Sequence, residues 1–284
     1  MILHRDDVAR RWVSLCMFAA TGVLLCAPYC QAQISSVELF RTGLSVQTGN
    51  GNTLLPGGYY FLTTVNSVHA FDLTGGTLTY PGPSSPATLS SAGPTKIDYS
   101  SFAFDTKAQL DAAYPAGTYS YLVGNGATGY STSLNYTADF YPQSLPYLDS
   151  TTYADLQGMN PQVPFTFDFS PFQTGPGVSA SFILFTLYDL NSSDETPILD
   201  AGLLPPSTTG FVLPANTLQP GHLYHYEMFF SNRVSVASPG AENPGLLGFD
   251  YRTNGEFTPA VPEPVGLSML AVAGIGLLGR RRNR

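Results

Sequence analysis

The stretch Leu218-Gln219-Pro220-Gly221-His222-Leu223-Tyr224 decides how the chain is read. Pro-Gly marks a turn, because proline presets its own φ and glycine supplies positive φ without steric cost. Beyond the turn, alternation from Tyr224 sends Tyr226, Met228 and Phe230 to one face, the period of a strand with a buried side. Leu218, Pro220 and Tyr224 have the spacing of a tyrosine corner. In that device a tyrosine early in a strand bonds its hydroxyl to backbone across the preceding turn.

The same grammar recurs outward along the chain. Pro56-Gly57-Gly58-Tyr59 and Pro115-Ala116-Gly117-Thr118-Tyr119 also feed a turn into an aromatic-led strand. Short apolar-polar alternations run over Tyr59–Val65, Ser101–Phe104, Thr118–Val123, Leu134–Tyr141, Phe165–Phe169, Ala180–Tyr188 and Tyr224–Phe230. Turn clusters separate them, so the expected fold class is all-β, an antiparallel β-sandwich. Helical signals are few: a turn at Lys107–Ala113 and another at Thr152–Gly158. The Gly-, Pro- and Ser-rich stretch Thr74–Thr95 reads as an exposed excursion between strands.

From Val163 to Asn232 the residues resemble a fibronectin type III or immunoglobulin-like sandwich. The resemblance implies that Phe182–Tyr188 is strand C, Phe211–Leu213 strand E and Tyr224 the start of strand F. No cysteine pair or core tryptophan supports an antibody-type domain. Pro142, Pro146, Pro161 and Pro164 crowd the region before this module and place a boundary near Pro146. Residues 33–145 are then a first β-sandwich module and 146–258 a second, with a single larger jelly roll as the main alternative.

Both ends of the chain read as targeting segments. Residues 1–32 have the form of a signal peptide: Arg5, Arg10 and Arg11, an apolar run from Trp12 to Ala27, then Cys30-Gln31-Ala32. Cleavage is expected between Ala32 and Gln33. All three cysteines (Cys16, Cys26, Cys30) fall inside this segment, so the expected mature chain has neither disulfide nor thiolate chemistry. At the other end, residues 259–284 form a tail in three parts. Pro262-Glu263-Pro264 leads into an uncharged stretch, Val265 to Gly279, closed by Arg280, Arg281, Arg282 and Arg284. That stretch is shorter than the roughly 20 residues a spanning helix needs. The arginines would hold it on the cytoplasmic side.

This tail resembles the PEP-CTERM sorting signal. The resemblance implies that Pro262-Glu263-Pro264 is read by a membrane-embedded exosortase, with Arg280, Arg281 and Arg282 as the basic end. It implies export through the inner membrane of a Gram-negative-type bacterium, transient membrane anchoring, and delivery to the envelope, surface or extracellular matrix. Signal peptidase and exosortase are the expected processing partners, and exopolysaccharide of a biofilm the expected context.

Charge narrows the chemistry further. Between Gln33 and Pro262 five cations (Arg41, Lys96, Lys107, Arg233 and Arg252) stand against 17 acids, a net of −12. Such a body repels phosphate backbones, which argues against nucleic acid as a partner. No catalytic residues and no cofactor are expected. Gly-x-Ser-x-Gly is absent, and His69 with Asp72 has no accompanying nucleophile motif. His222 and His225, three apart beside a strand, fall on opposite faces and make a poor metal pair.

Asp189, Asn191, Ser193, Glu195 and Asp200 imitate positions 1, 3, 5, 7 and 12 of a calcium loop. Asp194, however, stands where such a loop needs glycine, so an acidic turn is the plainer reading. Tyr59 with Tyr60, or Tyr119 with Tyr121, could stack on sugar rings. The expectation is therefore a non-enzymatic structural or adhesive surface protein. A carbohydrate-binding module is the first alternative and a hydrolase with an unrecognised site the second.

Overall fold

A computed structural model describes residues 34–70, 73–124, 129–193 and 196–261. The signal segment with its cleavage site Ala32/Gln33, and the tail with Pro262, Glu263, Pro264 and Arg280–Arg282, lie outside the described residues.

The chain is all-β, as its alternation requires. In order the elements are β1 (Ile34–Gln47), β2 (Leu54–Ser67), β3 (Gly75–Thr79), β4 (Ala87–Gly93), β5 (Lys96–Ser100), α1 (Lys107–Ala113), β6 (Gly117–Gly124) and β7 (Gly129–Tyr136). There follow α2 (Ser150–Leu156), β8 (Phe165–Asp168), β9 (Ala180–Asp189), β10 (Leu199–Leu204), β11 (Gly210–Leu213), β12 (Tyr224–Val236) and β13 (Gly245–Phe257). The two helices stand beside the weak helical signals. α1 starts in a capping box, with the Thr106 hydroxyl accepting from the Gln109 N–H, and the Asp149 side chain caps α2.

Residues 165–257 take an immunoglobulin-like strand order. β10-β9-β12-β13 form one layer and the ribbon β11-β8 the other, which is the order C′-C-F-G facing E-B. Phe167 packs on Phe185 at 5.0 Å and Phe211 on Phe185 at 4.7 Å, joining the layers through aromatic contacts. Tyr224, Tyr226, Met228 and Phe230 are all buried in this core.

The first body is built differently from a separate module in series. β1 pairs in parallel with β13 from Glu38–Leu246 to Val46–Asn254, so one sheet continues as β10-β9-β12-β13-β1-β2-β5-β4-β3-β6-β7. The sheet curls until β7 meets the turn joining β12 and β13, where Thr132 and Ser238 hydroxyls lie 2.8 Å apart. Leu247 and Phe249 of β13 sit in the first core while Phe257 of the same strand sits in the second. Along the chain the cores change over between Tyr141 and Leu148. β12 and β13 serve both cores, and backbone pairing of β1 with β13 joins the two bodies edge to edge. Local turn signals cannot report such a long-range parallel ladder.

The stretch Thr74–Thr95 is corrected, since it contains β3 and β4 rather than an excursion. Leu78, Ala87 and Leu89 point inward, and pairing with β5 and β6 supplies the order that Gly, Ser and Thr do not.

Candidate functional site

The tyrosine corner is formed at the start of β12. The backbone N–H of Gln219 donates to the Tyr224 hydroxyl at 2.7 Å, Leu218 is buried, and Gly221 takes the positive φ (76°) of the turn. Burial pushes the Tyr224 hydroxyl above its ordinary value, which the Gln219 N–H partly opposes.

The calcium-like residues are tied into a turn. His222 Nδ1 lies 2.9 Å from Asp189 Oδ2, Asp189 Oδ1 accepts from the Asn191 N–H at 2.9 Å, and Asn191 Oδ1 accepts from the Leu223 N–H at 2.6 Å. Asp200 accepts from the Gly202 N–H at 2.8 Å in the next strand. Ser193 is exposed beside them, while Glu195 lies outside the described residues, as does Asp72 near His69. Among the described residues no three His, Cys, Asp or Glu side chains converge on a metal-sized site. His222 turns to Asp189 and His225 to Glu227, so the two histidines are not brought together.

The tyrosine pairs do not make platforms. Tyr119 and Tyr121 are fully buried, and Tyr59 and Tyr60 are successive strand residues on opposite faces of β2. A different aromatic row is present. Tyr251 of β13, Gly43 of β1 and Tyr59 of β2 are cross-strand partners on one face. A Cβ at Gly43 would meet both rings at 2.9 Å, so glycine alone lets the two tyrosines lean together. Tyr141 stacks on Tyr251 with centroids 5.0 Å apart, and all three rings are half-buried.

Two residues along β1, Arg41 is buried beneath this row at the centre of an ionic cluster. It bonds Asp139 at 2.8 Å and also Asp111 and the Tyr136 hydroxyl, while Lys107 bonds Asp111 at 2.7 Å and Asp139 as well. Burial alone would raise the Asp111 carboxyl, but the hydrogen bonds and charges of Lys107 and Arg41 hold it below its ordinary value. Burial likewise works against the Lys107 ammonium, and Asp111 and Asp139 overcome it and raise the group.

The opposite sheet face carries a second ionic web, for which the sequence has no local motif. Arg233 bonds Asp250 at 2.6 Å and lies 4.9 Å from the ring centres of both Phe40 and Phe182. Asp250 also accepts from Ser231 at 2.6 Å. Arg252 pairs with Glu227 over the Phe229 ring, and Lys96 reaches Asp98 at 3.8 Å. Every one of the five body cations is therefore paired with an acid of the body itself. The only available signal was their rarity, since a few cations among many acids find partners on folding.

A shallow hollow of about 270 Å³ lies between Pro56–Gly58 and Ala103–Asp105, with Asp105 as its one charged side chain. Among the described residues no helix is long and apolar enough to cross a membrane.

No family model matches the chain, and no curated protein matches it. Among solved structures it is similar to chicken CNTN1 FN1-FN3 domains, at 8% identity and a TM-score of 0.27, over 74% of this chain and 67% of that one. It is also similar to a Ca2+-stabilized adhesin that helps an Antarctic bacterium reach out and bind ice, at 13% identity and a TM-score of 0.22. That match covers 82% of this chain, which spans half the length of the adhesin chain. Scores this low carry no weight for function, and the immunoglobulin-like character of residues 165–257 rests on strand order alone.

Proposed function

We propose that the chain is a non-enzymatic structural or adhesive protein, exported and sorted to the cell envelope, surface or extracellular matrix of a Gram-negative-type bacterium. Signal peptidase removes residues 1–32, and an exosortase reads Pro262-Glu263-Pro264. The single observation that supports a non-enzymatic body is how its charges are used. The five cations, with Glu38, Asp98, Asp111, Asp139, Glu227 and Asp250, are engaged in holding strands and α1 together. A general acid, base or nucleophile needs a group left facing a substrate, and these eleven groups are committed to one another instead. The tail supports the address.

The test is the intact mass and location of the native protein, with and without residues 259–284. A mature chain beginning at Gln33 outside the cytoplasm is expected, with altered sorting once the tail is removed. A folded cytoplasmic chain that retains Met1 would overturn the address. Turnover by the purified protein on ester, peptide or glycoside panels would overturn the non-enzymatic reading.

A second reading, glycan binding, is favoured by the half-buried row Tyr59, Tyr141 and Tyr251 beside a charged rim, since aromatic faces stack on sugar rings. Saturable binding to exopolysaccharide that disappears in Tyr251→Ala is expected on that reading. Equal binding by the variant rejects the row as the site.

A further inference from the structure

The dipeptide Asn-Gly occurs three times, as Asn50-Gly51, Asn125-Gly126 and Asn254-Gly255. The second lies outside the described residues. The other two stand in opposite surroundings. Asn50 is exposed at the tip of the β1–β2 hairpin, and Gly51 follows it with a φ of 62°. Among the described residues neither the Asn50 side chain nor the Gly51 N–H has a hydrogen-bond partner. Asn254 sits inside β13, paired with Val46 of β1 on one side and Glu227 of β12 on the other. Its Oδ1 accepts from Arg252 Nε at 2.9 Å, and a Cβ on Gly255 would lie 2.4 Å from the Tyr226 ring.

Asparagine followed by glycine can react with its own backbone. The Gly51 nitrogen attacks Asn50 Cγ, so that an N–Cγ bond forms and the Cγ–Nδ2 bond breaks. The amide nitrogen leaves as ammonia, taking the proton that the Gly51 nitrogen carried. Water then opens the resulting succinimide at either carbonyl. One opening gives aspartate, and the other routes the chain through Cγ as isoaspartate, with one extra methylene in the backbone. Glycine leaves its nitrogen unshielded, and the attack needs backbone freedom that a hairpin tip has and a ladder lacks.

This tip is tied to the joint between the two bodies. Gln47 Nε2 donates to Gly49 O at 3.2 Å and to Gly51 O at 2.9 Å, on either side of Asn50. The same side-chain amide bonds the Leu148 backbone and the Tyr226 hydroxyl. A Cβ on Gly51 would lie 3.9 Å from Ser150 at the start of α2. We propose that Asn50 is a spontaneous modification site, which cyclises onto Gly51 and reopens as isoaspartate. The lengthened tip then withdraws the Gly51 carbonyl from Gln47 and loosens the joint. Water is the only co-reactant.

The experiment ages the full chain, carrying Asn125→Ser so that two Asn-Gly sites remain, in mildly alkaline buffer. Peptides are mapped by mass spectrometry with fragmentation that tells isoaspartate from aspartate. Conversion is expected at position 50 and at least about tenfold more slowly at 254, where attack waits on opening of the flanking ladders. The aged chain is expected to unfold at a lower urea midpoint than the fresh one, whereas Asn50→Ser keeps its midpoint on ageing. Fresh Asn50→Asp, which has the new charge without the extra methylene, should match the fresh parent. An amide that persists at position 50 while the isolated peptide 46–54 converts overturns the proposal. Equal rates at 50 and 254 overturn it as well, because the chain would then react only after unfolding. Conversion at 50 with an unchanged midpoint, or a fresh Asn50→Asp as unstable as the aged chain, overturns the coupling to Gln47.

Discussion

Gln47 shows how much a single residue carries in this molecule. Buried at the end of β1, its Nε2 donates to Gly51 O and Leu148 O, each at 2.9 Å, and its Oε1 accepts from Leu148 N–H at 2.9 Å and Tyr226 Oη at 2.8 Å. It thereby stitches the first strand to the second core. Gln47→Leu keeps the volume but orphans the Leu148 backbone and the Tyr226 hydroxyl. Each stranded buried group costs about 1–3 kcal/mol, so a loss of about 3 kcal/mol is expected in urea unfolding. Tyr224→Phe removes one bond and leaves only Gln219 N–H without its partner, beside solvent. A smaller loss of about 1 kcal/mol is expected by the same measurement. Equal losses in the two variants would mean that the polar plug at Gln47 holds the molecule no more firmly than the corner does.

Among the elements, α1 and β13 make opposite demands. α1 has seven residues and buries one of them, Leu110, so its docking depends on the Arg41–Asp111–Lys107–Asp139 cluster. The Asp111 carboxyl is held below its ordinary value of 3.8, so its contribution is complete above that value and is lost as pH falls through the lower folded one. Hydrogen exchange at 107–113 should therefore accelerate below about pH 4 before the strands open. β13 needs no such tie, because ladders flank it on both sides. It pairs antiparallel with β12 and parallel with β1, and its residues enter both cores. A fragment of residues 34–145 lacks Leu247 and Phe249 and leaves β1 with an open edge. No cooperative thermal transition is expected by circular dichroism. A sharp transition would show that the first body folds without β13.

For the whole molecule, the feature with the widest consequence is the number of buried tyrosines. Burial pushes the hydroxyls of Tyr119, Tyr121, Tyr141 and Tyr226 above the ordinary value of 10.0, and lifts Tyr188 to about 12. A hydroxyl that ionises at higher pH when folded gives stability that is complete below pH 10.0 and lost as pH rises through the folded value. The last component of tyrosinate absorbance, from these buried rings, should therefore appear together with loss of far-ultraviolet circular dichroism above about pH 10. Complete tyrosinate formation while the far-ultraviolet signal is intact would contradict the burial. Much of this architecture was legible along the chain: the corner at Leu218–Tyr224, the alternation through Phe230, and the helical turns at Lys107 and Thr152. These are local properties, fixed by φ preference and by a side-chain period of two. The β1–β13 ladder, the strands hidden in Thr74–Thr95, the separation of Tyr59 from Tyr60 as a platform, and the pairing of every body cation were not. Each depends on which distant strand lies alongside, and only the closed packing of the whole chain sets that neighbour.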